Sequence, residues 1–184
     1  MINDDKLEAS IRQHWSKSQA STKAARYLNQ FFECKRFDSK ITAKVHGNHG
    51  IYTVSISLTD QGLSSGCSCY IGKGGGCHHC EALALTFLQG KQPFEVIISP
   101  PLEKVSDLLG LQGYLAQTSL ASLLDELRRC GMTQKALADS LGMSSRHLSS
   151  MKSSEARNRY HQELGAMKLA CLWVLEHQEK WKAP

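Results

Sequence analysis

From Cys67 onward the chain runs Cys67-Ser68-Cys69, then a loop Gly72-Lys73-Gly74-Gly75-Gly76, then Cys77-His78-His79-Cys80. Sulfur and imidazole donors at this spacing read as one tetrahedral zinc site. The glycines let the backbone turn tightly around an ion. The second donor pair runs straight into Ala82, Leu83, Ala84, Leu85, Phe87 and Leu88, whose apolar spacing is helical. The expected local structure is therefore a loop-to-helix clamp. Spacing alone leaves the fourth ligand open: Cys-x-Cys with Cys-x-x-Cys would give four thiolates, whereas Cys-x-Cys with Cys-x-His would take His79 and leave Cys80 as a small apolar residue near Ala84. Either way every donor is used on closure, which marks a structural site rather than a catalytic one.

Length and composition bound the rest. The 184 residues suit one large or two small domains, and 41% hydrophobic residues are enough for a packed core. No stretch reaches the roughly 18 uninterrupted apolar residues of a membrane span. The start, Met1-Ile2-Asn3-Asp4-Asp5, lacks the basic region of a secretory signal. Seven cysteines are an odd number for a disulfide framework, and Cys34, Cys130 and Cys171 sit apart in helical or apolar context. A reducing, cytoplasmic setting is the expectation, with no membrane partner.

Ahead of the donors, residues 41–45 alternate, Gly47-Asn48-His49-Gly50 turns, and Tyr52, Val54, Ile56 and Leu58 alternate again, which predicts a β-hairpin. Asn3 would cap a helix to about Lys17, and Ser21 a second one containing Ala24, Ala25, Tyr27, Leu28, Phe31 and Phe32. A small sheet leading into Cys-x-Cys, a short loop, Cys-x-His and a helix resembles the SWIM zinc finger over about residues 20–90. The resemblance implies Zn2+ held by Cys67, Cys69, Cys77 and His79; His78, between two donors, is expected to face solvent.

The net charge of +5 is concentrated. Residues 128–159 hold seven basic side chains (Arg128, Arg129, Lys135, Arg146, Lys152, Arg157, Arg159) against Asp139 and Glu155, so this stretch carries the whole excess. Within it, residues 133–153 read as two short helices joined by a tight turn. Thr133 and Ser144 can cap them, Leu137 and Leu141 line the inner face of the first, and Ala138 allows close crossing. Gly142 permits a left-handed turn residue, and Met143, Leu148 and Met151 form the buried side of the second helix. Ser145, Arg146, His147, Ser149, Ser150 and Lys152 are left outward. This pattern resembles the helix-turn-helix of the Cro/cI (XRE-like) repressor class, over about residues 119–160. The resemblance implies double-stranded DNA as partner. It places Gln134 near a phosphate, Ser145, Arg146, Ser149 and Ser150 in or beside a major groove, and Lys152 and Arg157 on phosphates, with Arg146 reading a guanine edge.

Three of the four prolines fall in residues 89–101. A linker is placed at 91–102, between an N-terminal zinc-finger domain (1–90) and a helical domain (103–184). Leucines 120, 123, 124 and 127 predict a helix before the helix-turn-helix. A final helix is expected over roughly 161–181. Its Leu164, Met167, Leu169, Ala170, Leu172, Trp173 and Leu175 cover more circumference than one small core needs. That excess, with Trp173 and Trp181 as core or interface residues, calls for packing on the zinc domain or for a homodimer. The fold class is thus α+β, a small antiparallel sheet with a zinc loop and helices followed by an all-α domain. His46, His49, His147, His161 and His177 are scattered, with no triad-like pattern and no phosphate loop, so no enzyme is expected. Two functions fit: a sequence-specific transcriptional regulator, nucleoid-associated when bound to DNA, with the zinc module as structural and interaction platform; or an accessory factor of a nucleic-acid machine or mobile element, whose zinc module binds a partner protein.

Overall fold

A computed structural model describes residues 4–15, 20–59, 62–74, 76–90, 92–98, 104–159 and 161–180. The chain is mixed α+β and divides into two compact units, Met1–Ser99 and Pro100–Pro184.

In the first unit, helices α1 (Asp4–Trp15), α2 (Thr22–Ala25) and α3 (His78–Gln89) accompany strands β1 (Phe32–Arg36), β2 (Lys40–Gly47), β3 (Gly50–Thr59), β4 (Gly62–Cys67) and β5 (Glu95–Val96). The five strands form one sheet in the order β4-β3-β2-β1-β5. Neighbours are antiparallel except β1 and β5, which are parallel. The expected hairpin is β2–β3, closed at Gly47 opposite Gly50. Its alternation buries Ile41, Ala43, Val45, Val54 and Ile56. α3 lies against β3 and β4 and is flanked by α1 and α2, so its buried Ala82, Leu83 and Ala84 share one core with Leu7 and Ile11 of α1. Glu81 fixes α2 on α3: its carboxylate accepts the Ser21 N–H and hydroxyl, both at 2.8 Å.

The second helix is shorter than its sequence implied. It ends after Ala25, Asn29 turns left-handed at φ 57°, and Phe32 opens a strand. Phe31 and Phe32 are as compatible with a strand as with a helix, and pairing with β2 decides between them. Residues 95–96, placed in the linker from sequence, instead add the edge strand β5 beside Lys35 and Arg36. Asn3, Lys17, Gly75, Pro100, Pro101 and Trp181 lie outside the described residues.

The second unit contains α4 (Leu108–Gln117), α5 (Leu120–Arg129), α6 (Gln134–Ser140), α7 (Ser145–Ala156) and α8 (Leu164–Glu176). Leu120, Leu123, Leu124 and Leu127 line one face of α5 and pack with Leu137, Ala138, Leu148, Met151, Met167 and Cys171; burying each leucine is worth about 1.5–3 kcal/mol. Inside this apolar core runs one ion pair. Lys168 of α8, only 5% exposed, reaches Glu155 of α7 at 2.6 Å and donates to the Leu115 carbonyl at 2.8 Å. Glu155 in turn accepts the Leu120 N–H at 2.7 Å, placing a carboxylate at the N-terminus of α5. Three helices and the end of a fourth thus meet on two side chains. α8 spans 164–176 rather than 161–181, with a 3-10 turn at Gln178–Lys180. Leu169 and Trp173 on it are 42% and 52% exposed rather than core residues.

Candidate metal centre and candidate nucleic-acid interface

Strand β4 delivers Cys67 at its last position, and α3 begins at the residue after Cys77. Pairing continues past the strand end: Ser68 donates its N–H to the Thr53 carbonyl and accepts the Thr53 N–H on its hydroxyl, both at 3.0 Å. This holds Cys67 and Cys69 on either side of a fixed backbone. A 3-10 turn over Ile71–Gly74 then folds the chain back. At Gly72 the approach is so close that a Cβ would stand 2.5 Å from the Cys67 carbonyl oxygen and 2.7 Å from the Cys67 Cβ. Only glycine fits without moving the backbone. Gly76 is left-handed at φ 69° and donates to Ser65 Oγ at 3.1 Å, after which Cys77 takes the N-cap position of α3.

These elements bring Cys67, Cys69, Cys77 and His79, all buried, to within 4.8 Å of one another through their donor atoms. His79 Nδ1 lies 3.7 Å from Cys67 Sγ and 3.8 Å from Cys77 Sγ. The edge of a tetrahedron with metal–sulfur bonds of about 2.3 Å is about 3.8 Å, so the donor set fits a metal ion. Backbone amides support the sulfurs: Gly72 N–H donates to Cys69 Sγ at 3.1 Å and Cys69 N–H to Cys67 Sγ at 3.5 Å. Without a cation the cluster accepts little negative charge. Hydrogen bonding from Cys67 and Cys80 holds Cys77 far below the usual thiol range, while that same bond to Cys77, then burial, pushes Cys67 far above it. Burial likewise raises Cys69. An ion would remove this conflict by neutralising several thiolates at once.

Cys80 stands next to the cluster. Its sulfur is 3.7 Å from Cys77 Sγ and is fully buried, with Ser65 as a second hydrogen-bond partner. It is not one of the four mutually close donors. The surroundings of His79 were not legible in the sequence: Tyr27 and Tyr52 place their rings 4.6 and 5.1 Å from it, and His78 is at 4.1 Å. His78 is half-buried and stacked on Tyr27, not turned to solvent, and its burial lowers its pKa.

In the second unit, Thr133 Oγ1 caps α6 by accepting the Ala136 N–H at 3.1 Å, and Ser144 Oγ caps α7 by accepting the His147 N–H at 3.1 Å. Gly142 between them has φ 68°. Leu137, Ala138, Leu148 and Met151 are buried as expected; Leu141 closes α6 and is 42% exposed, because the helix ends there and its side chain leaves the core. Arg146, Ser149 and Ser150 are exposed on α7, whereas Ser145, Lys152 and Arg157 are half-buried. Among the described residues, Arg146, Lys152 and Arg157 form no ion pair. Gln134 is brought together with two of the other nominated residues: its Nε2 donates to Ser149 Oγ at 2.8 Å and to the Ser145 carbonyl at 3.4 Å.

Searches against known proteins find nothing similar: no protein-family model, no curated protein and no solved structure matches the chain.

Proposed function

We propose that this chain is a zinc-containing, sequence-specific DNA-binding protein, a transcriptional regulator rather than an enzyme. Its α6–α7 pair acts as the helix-turn-helix that reads duplex DNA, and its Cys67, Cys69, Cys77 and His79 centre holds Zn2+ as a structural ion. The observation that carries the reading is the surface of α7. A capped helix presents Arg146, Ser149 and Ser150 to solvent inside the stretch that holds the chain's whole basic excess. Arginine there can make a bidentate contact to a guanine edge, the serines adapt to either neighbouring base, and Lys152 and Arg157 supply phosphate contacts. For the ion, three thiolates with one imidazole are a structural zinc donor set, and closure leaves no open position for chemistry.

A second reading draws on Tyr70 and Ile71, which are 79% and 65% exposed between Cys69 and Gly72. Two large apolar side chains on a metal loop favour a protein partner for the zinc module, so an accessory factor of a nucleic-acid machine is the alternative.

Selection of bound duplexes from a random pool at about 150 mM salt, where non-specific contacts are strongly screened, separates the two. The regulator yields a defined motif, and Arg146→Ala relaxes one base of it by about 1–3 kcal/mol while changing stability by less than about 0.5 kcal/mol. Absence of any enriched sequence sinks the regulator and leaves the accessory reading.

A further inference from the structure

Two of the histidines that look scattered in the sequence meet in space. His147 is the third residue of α7, His161 precedes α8, and Glu163 is the N-cap residue of α8. Their donor atoms all lie within 4.8 Å of one another. His147 Nε2 donates to Glu163 Oε2 at 2.6 Å, and the two imidazole rings stand 5.3 Å apart at 63°. His161 Nδ1 is buried and has no hydrogen-bond partner among the described residues. A buried ring nitrogen without a partner is costly, and it aims a lone pair or an N–H at nothing these residues supply.

The geometry points to a second metal site, built from His147, His161 and Glu163, that takes a divalent transition ion of the zinc or cobalt class and ties the start of α7 to the start of α8. Two neutral imidazoles and one carboxylate are donors that suit such ions. They contain no thiolate, which sets this centre apart from the cysteine cluster. Three protein donors leave at least one coordination position for water or another oxygen ligand. An ion here takes one ring nitrogen from each histidine and replaces the His147–Glu163 hydrogen bond with two metal bonds. It also adds positive charge one residue from Arg146. The site itself does not depend on the DNA-binding reading, since it is defined by binding of the metal alone.

Titration of the untagged, full-length, metal-stripped chain with Co2+ and then Zn2+, followed by calorimetry and absorption, tests it. The expected result is two equivalents: one with the intense near-ultraviolet band of cobalt–thiolate charge transfer, one with only the weak visible bands of nitrogen and oxygen coordination. His161→Ala and Glu163→Gln should each weaken the second equivalent by more than the roughly tenfold to hundredfold that loss of an outer-shell partner costs, leaving the thiolate band unchanged. Cys69→Ser should do the reverse. Far-ultraviolet circular dichroism of the metal-free variants controls for folding, and His147→Gln provides a third variant if one of the others unfolds. A single equivalent in the unmodified chain overturns the proposal, as does a second equivalent that survives both substitutions.

Discussion

The two units solve the same problem with opposite materials. Where β4 hands over to α3, the apolar interior includes three sulfurs and an imidazole, and the sulfurs repel one another once more than one ionises. Where α5 crosses α7 and α8, the interior is leucine and methionine around a single ion pair whose charges and hydrogen bonds are satisfied inside the protein. The first arrangement could hold a metal ion taken from outside, and the second carries its own charge partner. The consequence is an asymmetry in what each unit can lose and remain folded.

The largest expected effect follows from that asymmetry. Structural zinc in small modules is worth about 10–16 kcal/mol of folding free energy, far more than any one contact in the second unit. Chelation, or Cys77→Ser, is expected to unfold residues 40–90 while the helices of the second unit stay folded. Hydrogen exchange resolved by segment reads this directly. Protection lost from β4 and α3 but kept in α5 and α7 is the expected result; an unchanged β2–β3 hairpin in the metal-free chain would count against a structural ion.

Next in size is the buried Glu155–Lys168 ion pair of the second unit. Lys168→Met leaves the Glu155 carboxylate, 19% exposed, without its cation, and breaking such a pair costs about 3–5 kcal/mol. Chemical denaturation should show that loss. Replacing Glu155 and Lys168 together by Met should cost less than Lys168→Met alone, since no uncompensated charge then remains. If the double variant is the weaker one, the hydrogen bond from Leu120 to Glu155 matters more than the ion pair.

Two glycines offer a finer contrast. Gly72→Ala drives a Cβ to 2.5 Å from a backbone oxygen beside the donors, so it should cost about 1–3 kcal/mol and weaken metal binding together with stability. Gly142→Ala meets nothing within 4 Å but must hold φ 68°, a cost of about 1–2 kcal/mol with no change in metal affinity at the cysteine cluster. A Gly142→Ala variant that altered metal binding at Cys67, Cys69, Cys77 and His79 would break the contrast.

What the sequence made legible is local chemistry. Donor spacing, the β2–β3 alternation, the α5 leucines and the caps Thr133 and Ser144 each act over a few residues, and each stands where expected in the structure. What it hid is pairing at a distance. β4 is Gly-Leu-Ser-Ser-Gly-Cys and β5 has two residues, so neither shows a strand period; they exist because β3 and β1 offer free edges. Lys168 would be read as a solvated lysine, because nothing in its neighbours announces a glutamate thirteen positions earlier in the chain. The tyrosines around His79 come from α2's flank and from β3, far from the Cys/His run.

The smallest effect bears on how α7 would meet a duplex. The helix-turn-helix resemblance places Gln134 near a phosphate and Ser149 at the groove, and the two are hydrogen-bonded to each other at 2.8 Å. An exposed bond of this kind lies toward the low end of about 0.5–1.5 kcal/mol, so Gln134→Ala should lower the melting temperature by only a few degrees. Its effect on DNA affinity separates two roles. If Gln134 holds Ser149 and the first turn of α7 in place, then Gln134→Ala and Ser149→Ala lose similar affinity and the double variant loses little more than either, a coupling that a double-mutant cycle reads as non-additive. If each side chain touches the duplex on its own, the losses add and the salt dependence falls no further, because neither residue is charged. Non-additivity would make the surface of α6–α7 a pre-set one, fixed before DNA arrives by the same internal sufficiency that marks the core beneath it.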